Sequence, residues 1–134
     1  MFTTFGPGRP PLIAAVGSGD LADIDRLLAG GNIDKESLND ALWYSCSDQD
    51  PQVLQRLVKA GADVNQIDSR EEFGTCLMIA VWTNAPGIVL TLITSGAKVN
   101  GPQGKYGETP LALAGSLGSR GTTVGKMLRD AGAN

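Results

Sequence analysis

Motifs that carry out catalysis are few and weak in this chain of 134 residues. The chain contains no histidine, which excludes a Ser–His or Cys–His nucleophile and any histidine metal ligand. The segment GTTVGKM at 121–127 has the glycines and lysine of a phosphate-binding loop, but its spacing is one residue short. Met127 also stands where such a loop carries Ser or Thr. We therefore expect no catalytic residue, no metal ion and no cofactor.

The two cysteines offer the other candidate chemistry. Cys46 and Cys76 lie inside apolar stretches, without the spacing of a zinc site. Free cysteine commonly behaves as a small buried hydrophobic residue. We expect two reduced, packed thiols rather than a disulfide or a metal site.

The charge and hydropathy of the chain restrict the classes of molecule that it can bind and its location in the cell. The net charge is −3, and no cluster of Lys and Arg could neutralise nucleic acid or an anionic lipid surface. The N-terminal MFTTFGPGRPP lacks the apolar core of a signal peptide, and no run approaches the roughly 20 apolar residues of a membrane span. We expect an intracellular chain, cytoplasmic or nuclear, that is a monomer or a weak homo-oligomer and binds neither nucleic acid nor membranes.

Two phrases recur along the chain. GADVN at 61–65 returns as GAKVN at 96–100, and GAN at 132–134 begins the same phrase. Its glycines are spaced by 30, 35 and 36 residues, at Gly31, Gly61, Gly96 and Gly132. A second phrase begins 21 to 23 residues before each glycine, as PPLIAAV (10–16), DALWYSC (40–46), TCLMIAV (75–81) and TPLALAG (109–115). The chain therefore contains four repeated units.

The repeated positions match a pair of helices in each unit. Thr109 followed by Pro110 is a capping side chain before a proline that can occupy the first helical position. Leu54, Leu57 and Val58 have the spacing of one buried stripe on a second helix. The glycine that follows can adopt the left-handed conformation that ends a helix.

These residues resemble the ankyrin repeat, most clearly at RLVKAGADVN (56–65), LITSGAKVN (92–100) and YGETPLALA (106–114). The resemblance covers about residues 8–134. It implies an all-α, ankyrin-type solenoid of about four helix-turn-helix repeats joined by hairpin-like finger loops. We expect an N-terminal extension at 1–9 and a single domain at 10–134, with repeats at about 10–39, 40–74, 75–108 and 109–134.

The chain departs from the family pattern in two respects. The histidine that commonly follows the TPL motif is replaced in every unit, by Ile13, Trp43, Met78 and Ala112. Packing must then replace the hydrogen bonds that this histidine provides between repeats. In the fourth unit Gly125 and Arg129 replace apolar residues, and such a polar outer face fits a terminal cap and slightly favours a natural end of the array.

The resemblance also implies where a partner binds. In ankyrin-like stacks the fingers, here about 65–74 and 100–108, and the first helices line a concave groove that usually holds a protein. We expect a non-enzymatic interaction module for a protein partner of unknown identity. The residues expected to contact it are Asp48, Arg70, Glu71, Phe73, Met78, Trp82 and Tyr106.

Other interpretations of the same residues remain open. Trp43 and Trp82 could fill the gap left by the missing histidines, Phe73 could hold its own finger against the stack, and the acidic finger residues could be a solvated face. The alternative function is a small enzyme or small-molecule binder with an apolar pocket in the same groove and Asp48 as acid or base. The residues proposed to line that pocket are Trp43, Met78, Trp82 and Tyr106.

Overall fold

The computed structural model describes residues 11–31, 33–47, 50–67 and 74–134 of the chain. Within these residues there are eight α-helices, one 3₁₀ turn at Gly118–Gly121, and no strand. In chain order the helices are α1 (Pro11–Ser18), α2 (Leu21–Ala29), α3 (Lys35–Cys46), α4 (Pro51–Lys59), α5 (Cys76–Trp82), α6 (Pro86–Thr94), α7 (Pro110–Ser116) and α8 (Thr122–Asp130). The prediction of an all-α fold is confirmed.

Threonine side chains begin two of the helices. The hydroxyl of Thr75 accepts a hydrogen bond from the backbone N–H of Met78 at 3.2 Å, and Thr109 does the same for Ala112 at 3.1 Å. Pro110 occupies the first turn of α7, where its missing N–H leaves no helical bond unmade. The helix start predicted at Thr109 is confirmed.

Helix α3 begins at Lys35, well before the repeated phrase at 40–46. Asp34 caps it, because its carboxylate accepts the backbone N–H of Ser37 at 2.7 Å. The segment KESLNDALWYSC that follows contains neither glycine nor proline, so the helix continues without a break. The pKa of Asp34 is lowered below its ordinary value, mainly by the hydrogen bond from the Ser37 backbone and also by one from the Ser37 side chain.

The glycines of the first phrase end the second helices of the pairs. Gly61, Gly96 and Gly132 have φ angles of +109°, +97° and +103°, a region that favours glycine. Just beyond each of them, an alanine N–H donates to the carbonyl of the leucine five residues before it, as Ala62 does to Leu57 at 3.1 Å. This is the Schellman arrangement of a helix C-terminus, and it confirms the predicted role of the phrase.

The helices stack in two layers. The first helices of the pairs (α1, α3, α5 and α7) pack side by side in chain order, and the second helices (α2, α4, α6 and α8) do likewise. Leu54, Leu57, Val89 and Leu92 are fully buried between the units, in one core cluster that extends along the stack. No pair could bury this apolar surface alone, which is why the units form a solenoid.

The positions of the missing histidines are mostly filled by packing. Met78 is fully buried and Ile13 is 8 % exposed, while Trp43 is partly buried against the core. Ala112, in the last unit, is exposed. The placement of Trp43 agrees with the interpretation that it fills the space of a histidine.

The two cysteines form a disulfide that joins α3 to α5. Cys46 and Cys76 are 0 % and 1 % exposed, and their Cα atoms are 5.5 Å apart, within the usual range for a disulfide. They are buried, as expected, but the prediction of two reduced thiols is wrong. The two residues are 30 apart in sequence, and only the packing of neighbouring repeats brings the end of α3 beside the start of α5.

Candidate functional site

Three large side chains on the first-helix layer form a surface that we call the inner strip: Tyr44, Ile79 and Trp82. Tyr44 occupies in α3 the position that Ile79 occupies in the repeated phrase of α5. Trp82 follows Ile79 by three residues, so the two lie on one face of the helix. Tyr44 is 53 % exposed, Trp82 is 48 % exposed, and Ile79 is partly buried. The first-helix layer therefore presents two aromatic side chains to solvent.

The finger at 100–108 carries a third exposed aromatic residue at its tip. The backbone N–H groups of Gln103 and Gly104 both donate to the carbonyl of Glu108, at 2.8 and 3.2 Å. The Glu108 carboxylate accepts the N–H of Tyr106 at 3.0 Å and so closes the tip. Tyr106 is 74 % exposed, and the ammonium of Lys105 lies 6.0 Å from its ring centre. The finger holds Tyr106 in a compact turn with its ring in solvent.

The same finger is fastened through Gln103 to the start of its own unit, next to α5. The hydroxyl of Thr75 donates to the Gln103 side-chain oxygen at 2.8 Å, and the Gln103 amide donates to the carbonyl of Lys98 at 2.8 Å. Gly74 has a φ of +80°, and a Cβ there would collide with the carbonyl oxygen of Gln103. The finger therefore packs directly against the backbone that leads into α5.

The structure separates the residues predicted to bind a partner. Trp82 and Tyr106 are exposed, as such a role requires. Met78 is fully buried, because the third residue of α5 faces the core, and the prediction that it contacts a partner is corrected on that ground. The remaining predicted residues lie outside the described part of the chain: Asp48, Arg70, Glu71 and Phe73.

Sequence reasoning missed three exposed apolar residues in the described part of the chain: Tyr44, Ile67 and Leu90. Tyr44 follows the histidine position in the second unit, and within an apolar phrase nothing distinguishes it from a core residue. Its equivalents Ile79 and Leu113 are more buried, so the position can face either way. Ile67, in the finger that leads away from α4, is 65 % exposed.

The residues proposed for an apolar ligand pocket do not enclose one common space. Met78 is in the core, whereas Tyr106 stands at a finger tip with most of its surface in solvent. A cavity of about 620 Å³ lies elsewhere, between the second helices α2 and α4. Its wall includes Arg56 and Asp25, which form an ion pair at 2.9 Å. Trp82 does not line that cavity.

The described residues hold neither a cluster of metal ligands nor a membrane-spanning helix. No group of three or more His, Cys, Asp or Glu residues there is arranged to hold a metal ion. Among the helices of residues 11–31, 33–47, 50–67 and 74–134, none combines the length and apolar character needed to cross a membrane.

Two characterised proteins share sequence with this chain. One is the BTB/POZ domain and ankyrin repeat-containing protein NPR1 of Malus hupehensis, 37% identical over 87 residues, which are 64% of this chain and 14% of that protein. The other is the glycerophosphocholine phosphodiesterase GDE1 of Candida albicans, 35% identical over 85 residues, which are 63% of this chain and 7% of that protein. The matched segment is thus a small part of each relative.

A family model covers more of the chain than either relative does. The model for ankyrin repeats, in three copies, matches residues 12–103, which is more than half of the sequence. The match spans the helix pairs α1 to α6 and ends within the finger at 100–108. With the stacked helix pairs described above, it shows that the chain belongs to the ankyrin-repeat family.

Proposed function

We propose that this chain is a non-enzymatic protein-interaction module that binds a partner protein along the inner strip and the finger at 100–108. The observation that carries the proposal is the exposure of Tyr44, Trp82 and Tyr106 on these elements, in a chain that buries most of its other large apolar residues. Aromatic side chains are enriched among the residues that dominate binding energy in protein interfaces. Ankyrin repeats are generally protein–protein interaction modules, which supports the same function.

The proposed partner presents a mainly apolar or aromatic surface with some acidic character. Tyr44 and Trp82 offer ring area, and Lys105 lies beside the exposed ring of Tyr106 at the finger tip. We propose neither nucleic acid nor a membrane surface as partner, since the net charge is −3. An intracellular location and a monomeric or weakly oligomeric state belong to the same proposal.

The test begins with selection of protein or peptide ligands from a displayed library, with the full chain as bait. Binding of a selected ligand is then measured by calorimetry for the wild type and for Trp82→Ala and Tyr44→Ala. We expect each substitution to weaken binding by about 2 kcal/mol, roughly thirtyfold, as for an interface anchor.

A matched control comes from the other layer of the stack. Leu90 is on α6, a second helix, and is 54 % exposed, so Leu90→Ala removes a comparable exposed apolar side chain from a different face. We expect this variant to bind the ligand like the wild type. Equal losses for Leu90→Ala and Trp82→Ala, or losses for Leu90→Ala alone, would place the binding surface elsewhere.

A further inference from the structure

The disulfide lies at one of the three junctions between neighbouring first helices. In the repeated phrase Cys46 is the seventh residue of its unit and Cys76 is the second residue of the next unit. At the other two junctions the same two positions hold buried apolar residues: Val16 with Ala41, and Val81 with Pro110. The stack therefore closes at this register without sulfur, and packing alone does not call for a pair of cysteines at the middle junction.

The surroundings of the pair also suit the reduced form. The carbonyl oxygen of Leu42 lies 3.1 Å from the sulfur of Cys46 and 3.7 Å from that of Cys76. This carbonyl also accepts the Ser45 hydroxyl at 2.7 Å, but S–H is only a weak donor, so opening the bridge leaves no strong polar group without a partner.

From these observations we propose that Cys46 and Cys76 form a reversible redox site, which links the second unit covalently to the third when oxidised and leaves the two units joined by packing alone when reduced. The partner reagent is a small disulfide such as glutathione disulfide. One cysteine thiolate attacks a sulfur of this reagent, forming a mixed disulfide and expelling one glutathione thiolate. The second cysteine thiolate then attacks the mixed disulfide, closes the protein bridge and expels the other glutathione.

The reaction is balanced: two protein thiols and one glutathione disulfide give one protein disulfide and two glutathione molecules. The protons lost by the two cysteines are taken up, through solvent, by the two glutathione thiolates. Because the cysteines are 0 % and 1 % exposed, exchange requires the junction between α3 and α5 to open locally. We therefore expect exchange that is slow compared with that of an exposed thiol pair.

Closing the bridge constrains the unfolded chain. The two cysteines are separated by 30 residues, and a loop of that size in the unfolded state loses a substantial part of its entropy on cross-linking. We expect the oxidised protein to melt roughly 10 °C above the reduced protein. Only one of the three first-helix junctions gains this covalent link.

In the test, the folded chain is equilibrated in buffers that contain glutathione and glutathione disulfide at a series of ratios. Each sample is quenched with acid, unfolded, treated with a maleimide and weighed by mass spectrometry, and its melting midpoint is recorded in parallel. We expect two maleimide adducts per chain at the reducing end, none at the oxidising end, and a midpoint that rises as the adducts disappear.

Several outcomes would overturn the proposal. Two adducts at every ratio would show that the bridge does not form, and none at any ratio would show that it is permanent. A single glutathione retained on each chain at the oxidising end would show that the second exchange step does not occur. A midpoint that does not follow the adduct count would show that the link does not fasten the units.

The chain itself supplies a matched control variant. Cys46→Val combined with Cys76→Ala places the residue pair of the first junction at the middle junction. We expect its melting midpoint to be independent of the glutathione ratio and close to that of the reduced wild type. A variant midpoint that still depends on the glutathione ratio would contradict the assignment of the effect to these two cysteines. If the variant does not fold, the maleimide adduct series on the wild type tests the proposal by itself.

Discussion

The side chain of Asn65 is hydrogen-bonded to the backbone of Lys98 in the next unit. Its Oδ1 accepts the N–H of Lys98 at 2.8 Å, and its Nδ2 donates to the carbonyl of Gly96 at 3.1 Å. One unit later Asn100 repeats the arrangement: it accepts from the N–H of Asn134 at 3.0 Å and donates to the carbonyl of Gly132 at 3.0 Å. In a protein without histidine, these asparagines supply polar links between repeats.

Removal of this link should loosen the stack. We expect Asn65→Ala to lower the free energy of unfolding by about 1 to 2 kcal/mol, since two hydrogen bonds at a partly exposed site are lost. Asn65→Asp keeps the acceptor for Lys98 but loses the donor, so we expect a smaller loss. Urea denaturation followed by circular dichroism measures both values. An unchanged free energy for Asn65→Ala would mean that these bonds do not couple the units.

Met78 and Trp82 lie on the same helix, but Met78 is fully buried and Trp82 is about half exposed. We expect Met78→Ala to lower the free energy of unfolding by about 2 to 5 kcal/mol, because it leaves a cavity in the core. We expect Trp82→Ala to cost less than Met78→Ala, because the Trp82 side chain is 48 % exposed. Thermal and urea unfolding of the two variants give the comparison. A larger loss for Trp82→Ala would assign that residue to the core.

The capping carboxylate of Asp34 should make the stability of the protein depend on pH in the acid range. The pKa of Asp34 is lowered from 3.8 by the hydrogen bonds from Ser37, so the unfolded chain binds a proton more readily than the folded one. The stabilisation from this carboxylate is therefore complete at a pH above the pKa that Asp34 has in the unfolded chain. It is lost as the pH falls through the lower pKa that Asp34 has in the folded protein. We expect the wild type to lose more stability between about pH 5 and pH 2 than Asp34→Asn does.

Asp34→Asn is the matched variant because asparagine is an equally good capping residue and does not titrate. The measurement is the melting midpoint of both proteins across the acid range, at constant ionic strength. Parallel pH profiles for the two proteins would show that the carboxylate of Asp34 is not the group responsible.

The backbone contact between Gly74 and Gln103, in the finger at 100–108, should be the contact of this finger that tolerates substitution least. We expect Gly74→Ala to destabilise the protein by more than Gly61→Ala, although both glycines have positive φ angles. At Gly61 a new Cβ meets nothing within 4 Å, so only the backbone conformation costs energy, about 1 to 2 kcal/mol. At Gly74 the Cβ also collides with the Gln103 carbonyl. Urea unfolding of the two variants measures the difference, and equal losses would contradict the packing of the finger.

Local sequence signals were sufficient for most of the architecture. The Thr109–Pro110 start and the glycine ends such as Gly61 each reflect an interaction within one helix or one turn, and the stripe at Leu54 and Leu57 was visible from its helical spacing alone. Such interactions involve neighbours in sequence, so the repeated phrases were enough to predict eight helices in four stacked pairs. The early start of α3 was missed because the cap at Asp34 lies outside the repeated phrase.

The site depended on contacts that sequence alone does not specify. Tyr44 and Met78 are both bulky residues in apolar phrases, yet one is 53 % exposed and the other fully buried. Cys46 and Cys76 are far apart in sequence and become partners only at the junction of α3 and α5. By itself the sequence determined which segments are helical and that they repeat. The tertiary structure decided which side chains face the core, because that choice depends on the rotation and offset of each helix against its neighbours.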